Sequence, residues 1–491
     1  MKNQIGYMIF FFSAVVACWA LRMEVEQKAF AFADERLVTS PADLAEPMVD
    51  SGEVAGLSIG IVSLDPSGKL QAETLHFGKA TKNDLPTDET LYEIGGITNV
   101  FTGILLASAM TKGEVTLDTP ARELMPADVT MPGLGGQEIT LLDLATHRSG
   151  LPRLADNMPM TNIDDPYNDY TSELANQFLN KHELKQTPGT HHEYSNFAMA
   201  YLGLLLARTP GAESYPDYDA MLQERITGPL GMNATRVHVN RQAAPIAVGH
   251  TKRGKAAQPW TWADMPGAGG IHSTIADMNR FMATHLQSTG DETGQAIDLA
   301  FKKQVDPIGA DFARGLGWSL AHDRSTRWHN GKTGGFSSAM FVNRTLNIGV
   351  CVLSNTASDN VTELASRLFR FQAETSSRDG AGYPRLSPFS AVRWSDNLPE
   401  VQVEEKWYRP VSLNDLAMND VLTFSRKRYG QLWKKRFEED LVELLSRMGH
   451  RPQRRVKLVL KPVGSETTYT LENIEMTEEN RSAIYRAALS R

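Results

Sequence analysis

Along residues 91–113 the apolar positions Ile97, Val100, Phe101, Ile104 and Leu105 recur at i, i+3, i+4, i+7 and i+8, one face of an α-helix. The pattern predicts a core helix over 96–112, opened by Gly95-Gly96 and stopped at Lys112-Gly113. Upstream, 56–63 is a short run rich in β-branched residues that reads as a strand, and 75–78 reads as its antiparallel return. Helical periodicity covers 139–145, 172–180, 196–208, 218–227 and 274–286, the last capped near Ser273. Strands follow at 338–342 and 348–354 across the turn 343–347, and 362–371 closes the region as a helix. First and last strands in one sheet with helices packed on it give an α/β class, an α+β sandwich. The expected fold is an antiparallel sheet flanked by helices, with a mostly helical subdomain inserted near 120–240.

The pattern divides the chain. Residues 1–33 hold the apolar run 5–21 behind Lys2, shorter than the roughly 20 residues that span a bilayer. It reads as a secretory signal peptide or an N-terminal membrane anchor. Val15-Val16-Ala17-Cys18 also resembles a lipobox, which would acylate Cys18. Each option places the body outside the cytoplasm, in the periplasm or at the cell surface. Residues 34–372 are the main domain, 373–400, rich in Ser, Asp, Gly and Pro, read as a linker, and 401–491 as a small α+β appendix. In the appendix, helices are expected at 412–428 and 432–448, then a hairpin of 456–461 with 468–474 and a last helix after Thr477.

At 491 residues the chain has ample length for a large buried core. A net charge of −8 gives no field that would attract nucleic acid, so the basic run near 447–461 reads as a solvated face. The only cysteines are Cys18 and Cys351, which leaves the main domain without a disulfide pair. His191-His192-Glu193 lacks zinc spacing, and neither a Walker loop nor a dinucleotide fingerprint is present, so no metal or cofactor is expected.

The chemistry lies in three short blocks. The first is Ile94-Gly95-Gly96-Ile97-Thr98-Asn99-Val100-Phe101-Thr102-Gly103, the second Tyr194-Ser195-Asn196 after Pro188-Gly189-Thr190, and the third His329-Asn330-Gly331 ahead of Thr333-Gly334-Gly335-Phe336. Together they resemble the three motifs of the serine β-lactamase and penicillin-binding-protein family, especially its class C and DD-peptidase branch. There the first block reads roughly I-G-S-x-T-K-x-F-T-G. Further blocks resemble the family at 144–152, 228–232, 268–274 and 315–318.

Here Gly96 stands where the family has its nucleophilic serine, and Asn99 where it has its lysine. No other Ser-x-x-Lys occurs in the chain. Glycine has no group to attack with, and an amide accepts no proton near neutral pH. The resemblance gives Tyr194 the role of moving the nucleophile's proton and Asn196 that of binding a substrate amide. It puts His329 and Gly331 on the strand edging the site, where a side chain at 331 would block a peptide lying along it. Oxyanion donors map to the backbone N–H groups of Gly96 and Lys332, which a side-chain change does not remove. In a serine protease stripped of its nucleophile, roughly a thousandfold acceleration over water survives from such groups and from binding.

The expectation is therefore an exported binder or regulator at the cell wall that has lost its catalytic serine and lysine. Its ligand would be a cell-wall peptide or a small carboxylate, with a protein partner for the appendix. The alternative is an active relative, a DD-carboxypeptidase, β-lactamase or esterase with a non-standard nucleophile. If only two groups are missing, Gly96→Ser with Asn99→Lys should restore slow acylation.

Overall fold

The computed structural model describes residues 38–65, 67–159, 161–207, 218–240, 245–309, 312–376, 383, 385–414, 416–450 and 453–489. The expected signal or anchor at 1–33, with Cys18, lies outside the described residues. Two compact units are present, Leu44–Ala373 and a second that takes in Glu374 onward.

In chain order the elements up to the end of the first unit are α1 (Pro41–Asp50), β1 (Gly56–Leu64), β2 (Leu70–Gly78) and β3 (Tyr92–Glu93). A single 3-10 turn, Gly95–Ile97, then leads into α2 (Thr98–Thr111). Helices α3 (Leu141–Ala145), α4 (Ser172–Leu179), α5 (Asn196–Ala207) and α6 (Tyr218–Leu222) form the helical subdomain. The chain returns through β4 (His272–Ser273), α7 (Ile275–Leu286), α8 (Glu292–Phe301), β5 (Ser319–Leu320), β6 (Thr326–Lys332), β7 (Ser337–Asn343), β8 (Ile348–Ser354) and α9 (Val361–Ser376). The main sheet runs β2-β1-β8-β7-β6-β5, antiparallel throughout. β1 pairs with β8 from Leu57↔Ser354 to Ser63↔Ile348, so the earliest strand is closed by the last. The antiparallel sheet flanked by helices is thus as expected.

α2 is buried on every side, not along one stripe: Thr98 through Ala109 are all buried. It packs on α8 and α5. Phe101 stacks on Phe281 with centroids 4.5 Å apart. Such a fully buried phenylalanine contributes roughly 1.5–3 kcal/mol by leaving water. A helix apolar all round belongs in a core, and its polar residues must then find partners. Thr102 does so, donating to the Gly267 carbonyl at 2.6 Å. α7 is capped by Thr274, whose hydroxyl accepts from the Asp277 N–H, one residue later than expected. Cys351 is buried in β8.

The second unit holds β9 (Ala391–Ser395), β10 (Leu398–Val403), β11 (Lys406–Leu413), β12 (Leu416–Ala417), α10 (Met418–Tyr429), α11 (Trp433–Glu439), α12 (Leu441–Arg447), β13 (Arg455–Pro462), β14 (Tyr469–Glu475) and α13 (Glu478–Leu489). Its sheet order is β14-β13-β11-β10-β9, with β12 on β11. It has its own core, including Val401, Val421, Phe437, Leu444 and Leu458.

Two readings of this region change. The stretch 373–400 is not all linker, because it contains β9 and the start of β10. Within it, Asp396-Asn397 is a hairpin turn, with φ of 50° and 65°. Asp and Asn tolerate that left-handed backbone, which two-residue hairpins require. The expected helix at 432–448 is two helices, broken at Asp440 (φ −130°, ψ 42°).

Candidate functional site

The 3-10 turn before α2 is pressed against β6, backbone to backbone. A Cβ built on Gly331 would fall 2.0 Å from the Ile94 carbonyl oxygen and 2.6 Å from the Gly96 nitrogen. One built on Gly96 would fall 2.6 Å from the Asn330 carbonyl oxygen, and 3.2 Å from both His329 Cε1 and Tyr194 Oη. Real Cβ atoms do not approach a backbone oxygen that closely. Both positions therefore require glycine for space. The turn is pinned from two sides. The Ile94 N–H donates to the Ile271 carbonyl at 3.0 Å, and Ser338 Oγ donates to the Ile94 carbonyl at 2.8 Å.

β6 is pinned as well. Asn330 Nδ2 donates to Thr362 Oγ1 at 3.0 Å, and Lys332 Nζ reaches Asp359 at 2.5 Å. Thr333 donates its N–H to the Phe336 carbonyl, and Lys332 lies opposite Ser337. Hydrogen-bonded and non-bonded pairs alternate along an antiparallel ladder. The Lys332 N–H therefore points away from β7, toward the 3-10 turn. Lys332 N lies close enough to the turn that a Cβ on Gly95 would fall 2.8 Å from it.

Asn99, Tyr194 and His329 meet beside this junction. Asn99 Nδ2 donates to Tyr194 Oη at 2.9 Å and lies 3.4 Å from His329 Nε2. His329 Nδ1 is 2.8 Å from the Asn330 carbonyl, which can only accept. Nδ1 therefore carries the proton, and Nε2 faces the Asn99 amide as an acceptor. Burial, with the nearby Arg314 charge in support, pushes His329 down to about 4 against the raising effect of the Asn330 carbonyl. A base that weak holds no proton from a substrate near neutral pH. Burial likewise raises Tyr194, so its phenol stays protonated. Asn99 Oδ1 is buried and has no hydrogen-bond partner among the described residues. That is a cost of about 1–3 kcal/mol for an unsatisfied acceptor.

Gly96, Asn99, Tyr194, His329 and Gly331 lie together, while Asn196 is directed to another partner. Asn196, at the start of α5, donates from Nδ2 to Tyr167 Oη at 3.2 Å. Tyr167 in turn stacks on Trp262 (4.1 Å, 11°). His147 packs its ring 4.4 Å from Tyr194 and accepts the Ser195 N–H on Nδ1 at 3.2 Å. Arg153 lies over the same ring at 5.1 Å. Sequence reading gave no role to Tyr167, Arg153 or Trp262. The one local signal for them was the pair of tryptophans in Trp260-Thr261-Trp262.

The arrangement is a net of neutral hydrogen bonds beside a backbone-to-backbone junction. It offers backbone donors and polar side chains to a ligand. It pairs no hydroxyl or thiol with a base of useful strength. Ser338 Oγ is spent on the Ile94 carbonyl, and the Thr98 hydroxyl accepts the Ile271 N–H at 3.3 Å.

Comparison with known proteins places this geometry. A family model described as Beta-lactamase matches residues 42–374. A β-lactamase of Escherichia coli (strain K12) is 27% identical over 277 residues, 56% of this chain and 68% of that protein. The D-alanyl-D-alanine-carboxypeptidase/endopeptidase AmpH of the same organism is 29% identical over 311 residues, 58% of this chain and 78% of that protein. A crystal structure of a β-lactamase/D-alanine carboxypeptidase from Yersinia pestis, complexed with citrate, covers 68% of this chain and 97% of its own. It superposes with a TM-score of 0.59 at 24% identity, a likeness of fold.

Proposed function

The chain belongs to the β-lactamase family, and from that premise we propose that it is an exported, non-catalytic member that binds rather than hydrolyses. One observation carries the reading: at Gly96, where the family's attacking serine would stand, a Cβ would lie 2.6 Å from the Asn330 carbonyl. The position lacks a nucleophile and also lacks room for one. The absent lysine supports the same reading, since Asn99 spends its amide on Tyr194 and His329. The remaining donors suit a cell-wall peptide or a small carboxylate as a reversibly held ligand. The N-terminal run at 5–21 supports export, with anchoring by that segment or by an acylated Cys18. The second unit is a candidate surface for a protein partner.

The test is acylation. Incubated with a fluorescent penicillin, the wild type gives no covalent adduct by gel or intact-protein mass, while calorimetry with an acyl-D-alanyl-D-alanine peptide gives reversible binding. A stoichiometric adduct would overturn the reading and establish the alternative, an active hydrolase with a non-standard nucleophile. Export is checked by fusing residues 1–33 to a reporter active only outside the cytoplasm; a silent fusion removes that part of the proposal.

A further inference from the structure

A second cleft lies beside the site just described. It has a volume of about 330 Å³, and its walls include Trp260, Thr261, Trp262, His238, Asn240 and His272. That volume falls in the range of small-molecule pockets, roughly 300–1,000 Å³. The two indoles stand 6.4 Å apart at 67°, so they form a corner of two apolar walls. Neither is fully buried, and Thr261 between them is exposed.

The corner is held rigidly, and by costly means. The Trp260 N–H donates to a carboxylate oxygen of Glu93 at 3.0 Å, and Glu93 is only 3% exposed. The Thr261 N–H and hydroxyl both donate to Asp165, at 2.8 and 2.5 Å, and Asp165 is 5% exposed. Two buried carboxylates thus fix two consecutive residues that are not themselves core. Taking a carboxylate out of water costs several kcal/mol, a heavy outlay for a surface loop with only a packing role. Trp262 is further fixed by Tyr167 stacked on it and by the backbone of Gly269, where a Cβ would meet its ring at 2.8 Å. Aromatic walls set in advance lose little entropy when a ligand arrives.

The lining also selects by charge. Among the described residues it includes no lysine, arginine, aspartate or glutamate. The ionisable groups among those residues are the imidazoles of His238 and His272, the latter 4.0 Å from the Glu93 carboxylate. What the lining offers is two indole rings, an amide, a hydroxyl and two imidazoles. A pyranose ring is the complementary chemistry. Its C–H faces pack on the negative faces of indoles, and its hydroxyl rim exchanges hydrogen bonds with amide, hydroxyl and imidazole groups.

We propose that the Trp260–Trp262 cleft is a binding site for a neutral sugar ring, within a longer glycan or alone. The site is independent of the proposed lack of catalysis, and an acylatable wild type would leave it standing. The test titrates the full chain with neutral tetrasaccharides of glucose, mannose, galactose and N-acetylglucosamine, followed by calorimetry and by the indole N–H resonances of labelled protein. Choline and adenosine monophosphate serve as the charged comparison. At least one neutral tetrasaccharide binds and shifts the Trp260 and Trp262 signals. Trp260→Ala or Trp262→Ala weakens it by about tenfold or more, the equivalent of losing one well-packed aromatic face. Trp260→Phe recovers part of the loss, and Asn240→Ala weakens binding with the thermal midpoint unchanged. The proposal is overturned if none of the four sugars binds, if choline or the nucleotide binds more tightly than all of them, or if folded Trp260→Phe and Asn240→Ala proteins both bind like the wild type.

Discussion

The double variant Gly96→Ser, Asn99→Lys stays unacylated by a penicillin, contrary to what the sequence by itself suggests. The obstacle is the Cβ, before any question of reactivity. At 2.6 Å from the Asn330 carbonyl it forces β6 or the 3-10 turn to retreat. Neither is free to do so. Asn330 is tied to Thr362, Lys332 to Asp359, and the Ile94 carbonyl to Ser338. Gly331 fits directly against the Ile94 carbonyl and the Gly96 nitrogen, so the strand cannot slide past the turn. Overpacking of this kind costs typically about 1–3 kcal/mol. A lysine at 99 meets a second obstacle, because that position is wholly buried, and burial disfavours the charged ammonium. The comparison that isolates the cause is Gly96→Ala. It carries the same Cβ without the hydroxyl, so it loses as much stability as Gly96→Ser in thermal or urea unfolding. Intact-protein mass after penicillin treatment is the second measurement. An acyl adduct on the double variant, or a Gly96→Ala protein as stable as the wild type, would show that the junction yields and that only two side chains are missing.

Acidification from about pH 7.5 to about pH 5 destabilises the Leu44–Ala373 unit by roughly 4 kcal/mol, about 2 kcal/mol from each of His285 and His329, with His147 acting in the same direction. Burial lowers His147 well below its usual value, helped by the charge of Arg314. It lowers His285 to about 3 and His329 to about 4. His285 and His329 stay neutral in the folded protein across this window, while in the unfolded chain all three titrate near the ordinary value of about 6.5. As pH falls below about 6.5 the unfolded state takes up protons that the folded state refuses, so stability drops with pH. The loss continues until the folded-state values are reached, near 4 for His329. The packing gives the reason. His285 donates from Nδ1 to the Phe281 carbonyl at 2.8 Å and is ringed by Phe281, Phe301 and Trp318. A proton on its other nitrogen would be a charge among aromatic rings. Asp359, held at about 2 by Lys252 and Lys332, stays ionised across the window and adds nothing to the change. Urea midpoints at the two pH values check the slope. His285→Phe removes about 2 kcal/mol of it, and equal midpoints at both pH values would refute the argument.

The sequence by itself determined most of the fold of Leu44–Ala373, because apolar periodicity is a local property. The helix of Ile97, Val100, Phe101, Ile104 and Leu105, the 56–63 strand and the hairpin of 338–342 with 348–354 all lie where the pattern put them. The sequence also shows glycine at 96 and asparagine at 99, side chains with neither a hydroxyl nor an amine, which is legible without coordinates. It misread 373–400, because Asp396-Asn397 means a linker or a hairpin turn depending on whether flanking strands pair, and pairing is not local. Only the tertiary structure decided what Gly96 is for. The same letter is consistent with a vacant site and with a filled one. Asn330 lies 234 positions further along the chain (330 − 96), and no local pattern fixes where its carbonyl comes to rest. The three buried histidines are likewise ordinary letters in the sequence. Their depressed titration arises from aromatic and backbone neighbours that folding gathers from separate helices and strands, and the same gathering brings Trp260 to Glu93 and Thr261 to Asp165, contacts that no spacing in the chain announces.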